Sequence, residues 1–361
     1  VFATDPRGWV RVIDSQPVSG SRGIIPVAGA VASMNDTPEM AYTHLGDTGL
    51  EVSRLCLGCM NFGSERPWMM NDRGASVDLI HEALDLGINF LDTANVYSTG
   101  ESEEIVGDAV ASANRDELVL ATKVYGDMFD GPNGSGLSRK HILDQVEASL
   151  DRLDTDYIDL YQIHRWDDDT PIEETLAALD HVIETGRVRY IGASTMTAYQ
   201  FTKALYTSDV EDYERFTCMQ PEYSAVARYE EANLVEVCEG ESVGVIPWSP
   251  LAGGFLSGKY DRDADPTDGT RGAASESVRG YFTEENWAVL DAVRSVAAET
   301  DATPAQVALA WLLRQDVVTA PIIGPRSSAH LRENVGAISV DLTPEQVERI
   351  AEPKTPQYPS P

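Results

Sequence analysis

Four side chains of the sequence have the chemistry to move a proton: Asp92, Tyr97, Lys123 and His164. A free tyrosine has a pKa of about 10, so it is a poor acid at neutral pH unless a cation stabilises its phenolate. Lys123 could supply that cation, and Asp92 could hold its ammonium group in place. His164 could then bind a carbonyl oxygen or relay a proton. Together, these residue types fit the protonation of a carbonyl group as it accepts a hydride.

Two plainer readings of Lys123 remain open from the sequence alone. An ionisable group at the end of an apolar strand is costly unless it is paired, so Asp92 and Lys123 could form a buried ion pair and nothing more. Lys123 could also form a Schiff base, as lysines of barrel aldolases do. The Schiff-base reading leaves Tyr97 and Trp248 without a role.

The elements that must position these residues are short apolar segments, which alternate with amphipathic stretches. The eight predicted strands cover residues 53–58, 88–94, 118–124, 157–164, 188–194, 216–223, 243–249 and 319–324. Near-continuous apolar character is typical of parallel strands that are buried on both faces. The order predicts an α/β fold, a single (β/α)8 TIM barrel with extra C-terminal helices. The alternative, a doubly wound sheet, lacks the expected GxGxxG loop after any strand.

Several other local patterns refine this prediction. The segment AYTHLGDTGLEV before the first strand predicts a β-hairpin that closes the bottom of the barrel. Ser138 and Thr303 are predicted to begin helices, and Thr170 with Glu173 predicts a capping box. Barrel enzymes place their sites at the C-terminal ends of the strands. The polar or small residues predicted at those ends are Asp92, Lys123, His164, Ser194, Gln220, Trp248 and Gly324.

Charge and composition exclude some classes of function. The 361 residues include 59 Asp and Glu against 27 Lys and Arg, for a formal net charge of −32. We therefore expect no nucleic-acid partner, because phosphates would be repelled. The sequence contains no segment of about 20 apolar residues, so no membrane span is predicted. Only five of the basic residues are lysine, and with the acidic surface this predicts a halophilic, salt-adapted protein.

The cysteines and the N-terminal segment lead to further expectations. Four cysteines do not make a disulfide scaffold, so we expect a cytoplasmic protein. Cys56 and Cys59 form a CxxC motif, but no second closely spaced pair completes a metal site, and none is predicted. Residues 1–40 are interpreted as an extension, either disordered or artificial, with Met34 as a candidate native start. Residues 41–361 are interpreted as the barrel.

Eight stretches of sequence carry a family resemblance. They are LCLGCMNFG, NFLDTANVYSTGESEEIVG, ATKV, IDLYQIHRWDDDTPIEETLAAL, GRVRYIGAS, MQPEYS, IPWSPLAGGFLSGKY and PIIGPRSSAHLRENVGA. In this order, over about residues 42–353, they resemble the aldo-keto reductase family, in the branch of aldehyde and aryl-alcohol reductases related to potassium-channel beta subunits. The resemblance implies a catalytic tetrad at Asp92, Tyr97, Lys123 and His164. It also implies NADP(H) bound across the mouth of the barrel.

By the same resemblance, one set of residues surrounds the cofactor. The nicotinamide half would contact Gly58, Cys59, Met60, Asp92, Ser194, Gln220 and Trp248, and also Thr195, which stands where many relatives have asparagine or arginine. The pyrophosphate would contact Ser249, Pro250, Leu251, Gly253, Lys259 and Arg271, and the adenosine end would contact Gly324, Arg326, His330, Glu333 and Asn334. Arg326 stands where many relatives have serine, and a guanidinium suits a 2′-phosphate, so NADP(H) is predicted over NAD(H).

The resemblance also bears on the substrate. It implies a small-molecule carbonyl substrate and a broad aldehyde reductase, with Tyr125 and Trp166 lining an apolar pocket. A non-catalytic, NADPH-binding regulatory subunit is the alternative function. The sequence indicates neither the natural substrate nor the oligomeric state.

Overall fold

The computed structural model describes residues 38–66, 68–267 and 269–356. The predicted extension over residues 1–40 therefore lies outside the described residues up to residue 37. None of the helices in the described ranges has the length and apolar character that crossing a bilayer requires.

Within the described residues, ten strands form a two-stranded hairpin and an eight-stranded parallel sheet. The hairpin consists of β1 (Tyr42–His44) and β2 (Glu51–Ser53), which are antiparallel. The parallel strands are β3 (Cys56–Gly58), β4 (Phe90–Asp92), β5 (Val119–Val124), β6 (Ile158–Ile163), β7 (Val188–Ser194), β8 (Cys218–Gln220), β9 (Gly244–Val245) and β10 (Ile322–Ile323). They lie in the order β10-β3-β4-β5-β6-β7-β8-β9. All eight predicted barrel strands are present, most of them shorter than predicted.

The two ends of this sheet meet, so the sheet closes on itself. Val245 pairs with Val318 in a parallel bridge. The amide of Thr319 donates to Val245 O at 2.8 Å, and the amide of Ile322 donates to Pro247 O at 2.8 Å. The predicted (β/α)8 barrel is therefore confirmed.

Twelve α-helices in the described part of the chain connect and surround the strands. They are α1 (Arg73–Asp85), α2 (Glu101–Val110), α3 (Arg139–Leu153), α4 (Ile172–Glu184), α5 (Ala198–Glu211), α6 (Leu234–Gly240), α7 (Arg271–Ala274), α8 (Glu276–Arg279), α9 (Glu284–Thr300), α10 (Pro304–Leu313), α11 (Ser328–Val335) and α12 (Pro344–Ala351). Two of the predicted helix starts are confirmed. Ser138 caps α3 by accepting from the amide of His141, and Thr303 forms a capping box with Gln306 before α10.

The capping box predicted at Thr170 is wrong. Helix α4 begins at Ile172 after Pro171, and no side chain caps its N-terminus. The hydroxyl of Thr170 instead donates to Asp167 Oδ2 at 2.8 Å. Pro171 occupies the N-cap position itself, so the helix begins one residue later than predicted and Thr170 lies outside it.

The interior of the barrel has an apolar lower layer and a polar upper layer. Side chains alternate across each strand, so residues two apart share a face. Phe90 and Leu160 lie in a buried apolar cluster inside the barrel with Leu45 and Val52 of the hairpin. The hairpin therefore closes the bottom of the barrel, as predicted. Two residues further along the same strands come Asp92 and Gln162, which begin the polar layer.

Candidate active site

The structure brings the four predicted proton-handling residues together at the C-terminal ends of neighbouring strands. Asp92 ends β4, Lys123 lies near the end of β5, and His164 directly follows β6. Tyr97 begins a short 3₁₀ turn, Tyr97–Gly100, in the loop after β4. The Tyr97 and His164 rings meet edge to face with centroids 5.7 Å apart.

Lys123 uses all three of its ammonium hydrogens within the site. Its Nζ donates to Asp92 Oδ2 at 2.5 Å, to Thr93 O at 2.8 Å and to Tyr97 Oη at 3.2 Å. An ammonium group has no acceptor, so Tyr97 Oη must accept in this contact. The proton of the Tyr97 hydroxyl is therefore not used to hold Lys123.

Asp92 is held from its other side by two amides that face it. Gln162 Nε2 and Gln220 Nε2 donate to Asp92 Oδ1 at 2.9 Å and 3.0 Å. Gln220 Nε2 also lies 3.1 Å from Gln162 Oε1. A carboxylate only accepts hydrogen bonds, which requires both amide nitrogens to point at it. Both oxygens of Asp92 are thus engaged by protein groups, and its carboxylate is fixed in position.

The charges of this cluster act on one another. Burial alone would lower the pKa of Lys123, but the nearby Asp92 carboxylate and the Tyr97 oxygen raise it overall. Burial raises the pKa of Tyr97 although Lys123 opposes the change. The predicted effect of Lys123 on Tyr97 is present, but burial outweighs it. A buried lysine that stays protonated is not a nucleophile, which argues against the Schiff-base alternative.

His164 is neutral in this environment. Burial lowers its pKa to about 3, and the positive charges of Lys123 and Arg165 act in the same direction. Its backbone amide donates to Val124 O at 3.0 Å, which ties the end of β6 to the end of β5. A neutral imidazole has one N–H donor and one acceptor, so His164 can donate to a carbonyl oxygen beside Tyr97.

A cavity of about 670 Å³ opens over these residues, within the range of about 300–1,000 Å³ that small-molecule sites occupy. Three of the four proton-handling residues line it: Asp92, Tyr97 and His164. Lys123 lies beneath Tyr97 and is 0% exposed. The predicted cofactor residues that line it are Gly58, Met60, Asp92, Ser194, Thr195, Gln220, Trp248, Ser249, Pro250, Leu251, Gly253, Lys259, Arg271, Gly324, Arg326, His330, Glu333 and Asn334.

One predicted cofactor residue does not line the cavity. Cys59 is fully buried, and its thiol lies 3.5 Å from Leu57 O. Its carbonyl oxygen accepts a 2.9 Å hydrogen bond from Ser102. The two substrate-pocket candidates, Tyr125 and Trp166, are partly buried near the cavity but do not belong to its lining.

Three positive side chains crowd together at one end of the cavity. Burial lowers the pKa of Lys259 and of Arg271, and Arg326 lowers both further. Arg271 stacks over the Trp68 ring at 4.5 Å, and Arg326 donates to Trp68 O at 3.1 Å. Within the described ranges, none of the three cations forms an ion pair with a carboxylate. Crowded cations without counterions are suited to binding an anion.

The cavity also contains residues that the sequence analysis did not single out. They are Asn61, Arg165, Gly254, Ser257, Ala305, Ile322, Ile323 and Pro325, and Gln162 lies just below them. Asn61 Nδ2 donates to Gly324 O at 2.8 Å and so joins the loops after the first and last barrel strands. The signal for Gln162 was present, because it is a polar residue that lies two positions after Leu160 and two before His164, on the same face of the strand.

Comparison with known proteins gives consistent matches. The model of the aldo/keto reductase family matches residues 54–354. The chain is 38% identical over 339 residues to versiconal hemiacetal acetate reductase of Aspergillus parasiticus, covering 88% of this chain and 98% of that protein. It is 40% identical over 316 residues to an uncharacterized oxidoreductase of Bacillus subtilis, covering 85% and 93% of the two chains. It is 37% identical over 345 residues to an aldo-keto reductase of Metarhizium robertsii, covering 88% and 91%.

Proposed function

This chain belongs to the aldo/keto reductase family, and from that premise we propose that it reduces aldehydes and ketones to alcohols with NADPH. In the reverse direction it would oxidise the CH–OH group of the alcohol. The observation that carries the proposal is the contact of Lys123 with Tyr97 at the floor of the cavity.

Tyr97 would donate the proton that the carbonyl oxygen requires. Its oxygen accepts from Lys123 at 3.2 Å, which leaves its own hydrogen available to the cavity. As that hydrogen leaves, negative charge develops on the phenol oxygen beside the ammonium group, and the cation stabilises it. Asp92 keeps Lys123 in place through the 2.5 Å contact and takes no part in the transfer itself.

His164 would orient the substrate. The neutral imidazole can donate to the carbonyl oxygen while the His164 and Tyr97 rings pack edge to face. Two donors that converge on one oxygen polarise the carbonyl and fix the oxygen close to the Tyr97 proton. Because His164 carries no charge near neutral pH, it does not compete with Tyr97 as the acid.

The cavity residues are suited to nicotinamide adenine dinucleotide phosphate, NADP(H). NADPH would supply the hydride to the carbonyl carbon when bound. Trp248 would pack on the ring, and Gln220 Oε1 would accept from the carboxamide because Gln220 Nε2 already faces Asp92. The crowded cations Lys259, Arg271 and Arg326 would hold the phosphates. Arg326 would favour NADP(H) over NAD(H) through the 2′-phosphate.

Product analysis tests the reaction directly. Purified protein is mixed with NADPH and para-nitrobenzaldehyde, and consumption of the reduced cofactor is compared with formation of para-nitrobenzyl alcohol. We expect the two to match one for one. Tight NADPH binding without turnover of any aldehyde would instead favour the alternative, a regulatory subunit related to potassium-channel beta subunits.

We further propose that the protein is halophilic and cytoplasmic. A net charge of −32 makes the acidic surface self-repelling when little salt is present. All four cysteines are free and buried, which suits a reducing compartment. Thermal unfolding should move to higher temperature from dilute buffer to molar KCl, and an unchanged midpoint would contradict the halophilic assignment.

A further inference from the structure

A fourth cation, Arg165, lines the cavity apart from the crowded cations Lys259, Arg271 and Arg326. Arg165 directly follows His164 after β6 and is exposed to the cavity. The charge of Arg326 lowers the pKa of Lys259 and of Arg271, whereas the charge of Arg165 lowers the pKa of His164. Arg165 therefore lies at the end of the cavity where His164 meets Tyr97.

The contacts around Arg165 hold it in place without neutralising it. Its guanidinium carbon lies 5.6 Å from the centre of the Tyr125 ring. Tyr125 follows β5 immediately, so this stacking joins the loops after two neighbouring strands. Arginine stacks on aromatic rings through its face and keeps its N–H donors at the edge free for other partners.

The nearest carboxylate in sequence does not pair with Arg165. Asp167 accepts from the amide of Leu137 at 2.7 Å, from Thr170 Oγ1 at 2.8 Å and from the amide of Asp169 at 3.0 Å. In the part of the chain that the structure describes, Arg165 forms no ion pair. Although the protein has 59 acidic residues against 27 basic ones, Arg165 has no carboxylate partner beside the reactive centre. Its guanidinium is therefore available to an anion that enters the cavity.

We propose that Arg165 binds an anionic group of the substrate, so that the enzyme favours aldehydes that carry a carboxylate. The inference rests on the proposed function and specifies its substrate class. The carbonyl would lie between Tyr97 and His164, and the carboxylate would accept from the guanidinium of Arg165. A planar guanidinium donates two parallel hydrogen bonds to a carboxylate, which also fixes the orientation of the substrate.

A matched pair of aldehydes tests this. Wild type and Arg165→Gln are assayed with para-carboxybenzaldehyde and with its neutral methyl ester, and the ratio of the two kcat/KM values is compared. Dividing the ratio of one protein by that of the other cancels the different intrinsic reactivity of the two aldehydes. We expect the acid-to-ester ratio to fall about tenfold in Arg165→Gln, since hydrogen bonds to charged groups are worth that much or more.

The chain offers a matched control in Arg189. This arginine stacks on Tyr157 with its guanidinium carbon 4.2 Å from the ring centre, but it lies at the start of β7, away from the cavity. Arg189→Gln should leave the acid-to-ester ratio unchanged. An unchanged ratio in Arg165→Gln, or the same fall in both variants, would overturn the assignment.

A binding arm separates failure of this inference from failure of the proposed function. If wild type reduces neither aldehyde, the proposed function fails, and binding decides the role of Arg165. Calorimetric titration of both aldehydes into protein with NADP⁺ then applies the same comparison. Weaker binding of the carboxylate alone in Arg165→Gln supports the anion site, and equal loss or no loss for both aldehydes overturns it.

Discussion

The ammonium nitrogen of Lys123 donates a 3.2 Å hydrogen bond to the phenol oxygen of Tyr97, and this contact determines which proton can be released. Lys123 has no free donor left, because Asp92 and Thr93 O take the other two. The hydrogen of the Tyr97 hydroxyl is therefore the acidic hydrogen of this pair that is available to the cavity.

Removing Lys123 should cost both stability and activity. Lys123→Met leaves Asp92 as a buried charge without its cation, which costs about 3–5 kcal/mol in comparable cases. We expect a large loss of unfolding free energy in urea and no measurable reduction of aldehydes. The double variant Asp92→Leu with Lys123→Met should recover much of the stability but none of the activity. Recovery of activity would show that the pair is only structural.

Gln162 should act as a positioning residue for Asp92. Gln162→Leu removes one of the two amides on Asp92 Oδ1, so the carboxylate and Lys123 lose alignment. We expect kcat to fall about tenfold with little change in KM, since the hydrogen bond lost is to a charged group. Gln145→Leu is the control, because Gln145 is also buried and accepts a 3.1 Å bond from Asn95 away from the cavity. Equal effects of both variants on kcat would exclude a positioning role.

The pH dependence of reduction should be flat around neutrality. The proposed mechanism of reduction requires protonated Tyr97 and neutral His164. Burial raises the pKa of Tyr97, so its proton is lost only as pH rises into the alkaline range, and the pKa of His164 is lowered to about 3. We expect a constant kcat from about pH 5 to 9, with a decline above that range. A steep change near pH 7 would mean that another group supplies the proton.

Arg326 should discriminate between the two nicotinamide cofactors. Arg326→Ala should weaken NADPH binding about 10- to 100-fold, because hydrogen bonds to a charged phosphate are strong, and should change NADH binding little. The affinities can be measured by quenching of tryptophan fluorescence. Arg332→Ala is a suitable control. Arg332 lies on α11, forms a 2.6 Å ion pair with Glu82 of α1, and is not part of the cavity lining. An equal loss for both cofactors would remove the assignment.

The sequence predicted the barrel because the alternation of apolar segments and amphipathic stretches repeats eight times. It also placed Asp92, Lys123 and His164 correctly, since strand ends in a parallel barrel meet at one face. Strand lengths were overestimated, because apolar residues extend beyond the paired backbone into the loops. The range 243–249, for example, contains only the two-residue strand Gly244–Val245.

Other features depend on contacts that only the folded chain creates. Thr170, Pro171 and Glu173 fit a helix that begins at Pro171, but in the folded chain Pro171 is the N-cap and the Thr170 hydroxyl donates to Asp167. Trp68 lies far from Arg271 and Arg326 in sequence, so its contacts with both could not be read from spacing. The net direction of the Tyr97 pKa depends on how burial balances Lys123, which is a property of the complete site.

The most direct test of the account is the removal of the Tyr97 hydroxyl alone. NADPH oxidation with para-nitrobenzaldehyde is measured for wild type, Tyr97→Phe and Tyr199→Phe, with NADPH affinity measured in parallel. Tyr199 is 77% exposed on α5 and serves as the control. We predict that Tyr97→Phe lowers kcat by about a hundredfold or more while it still binds NADPH, and that Tyr199→Phe behaves as wild type. A Tyr97→Phe variant with wild-type kcat would contradict the central claim.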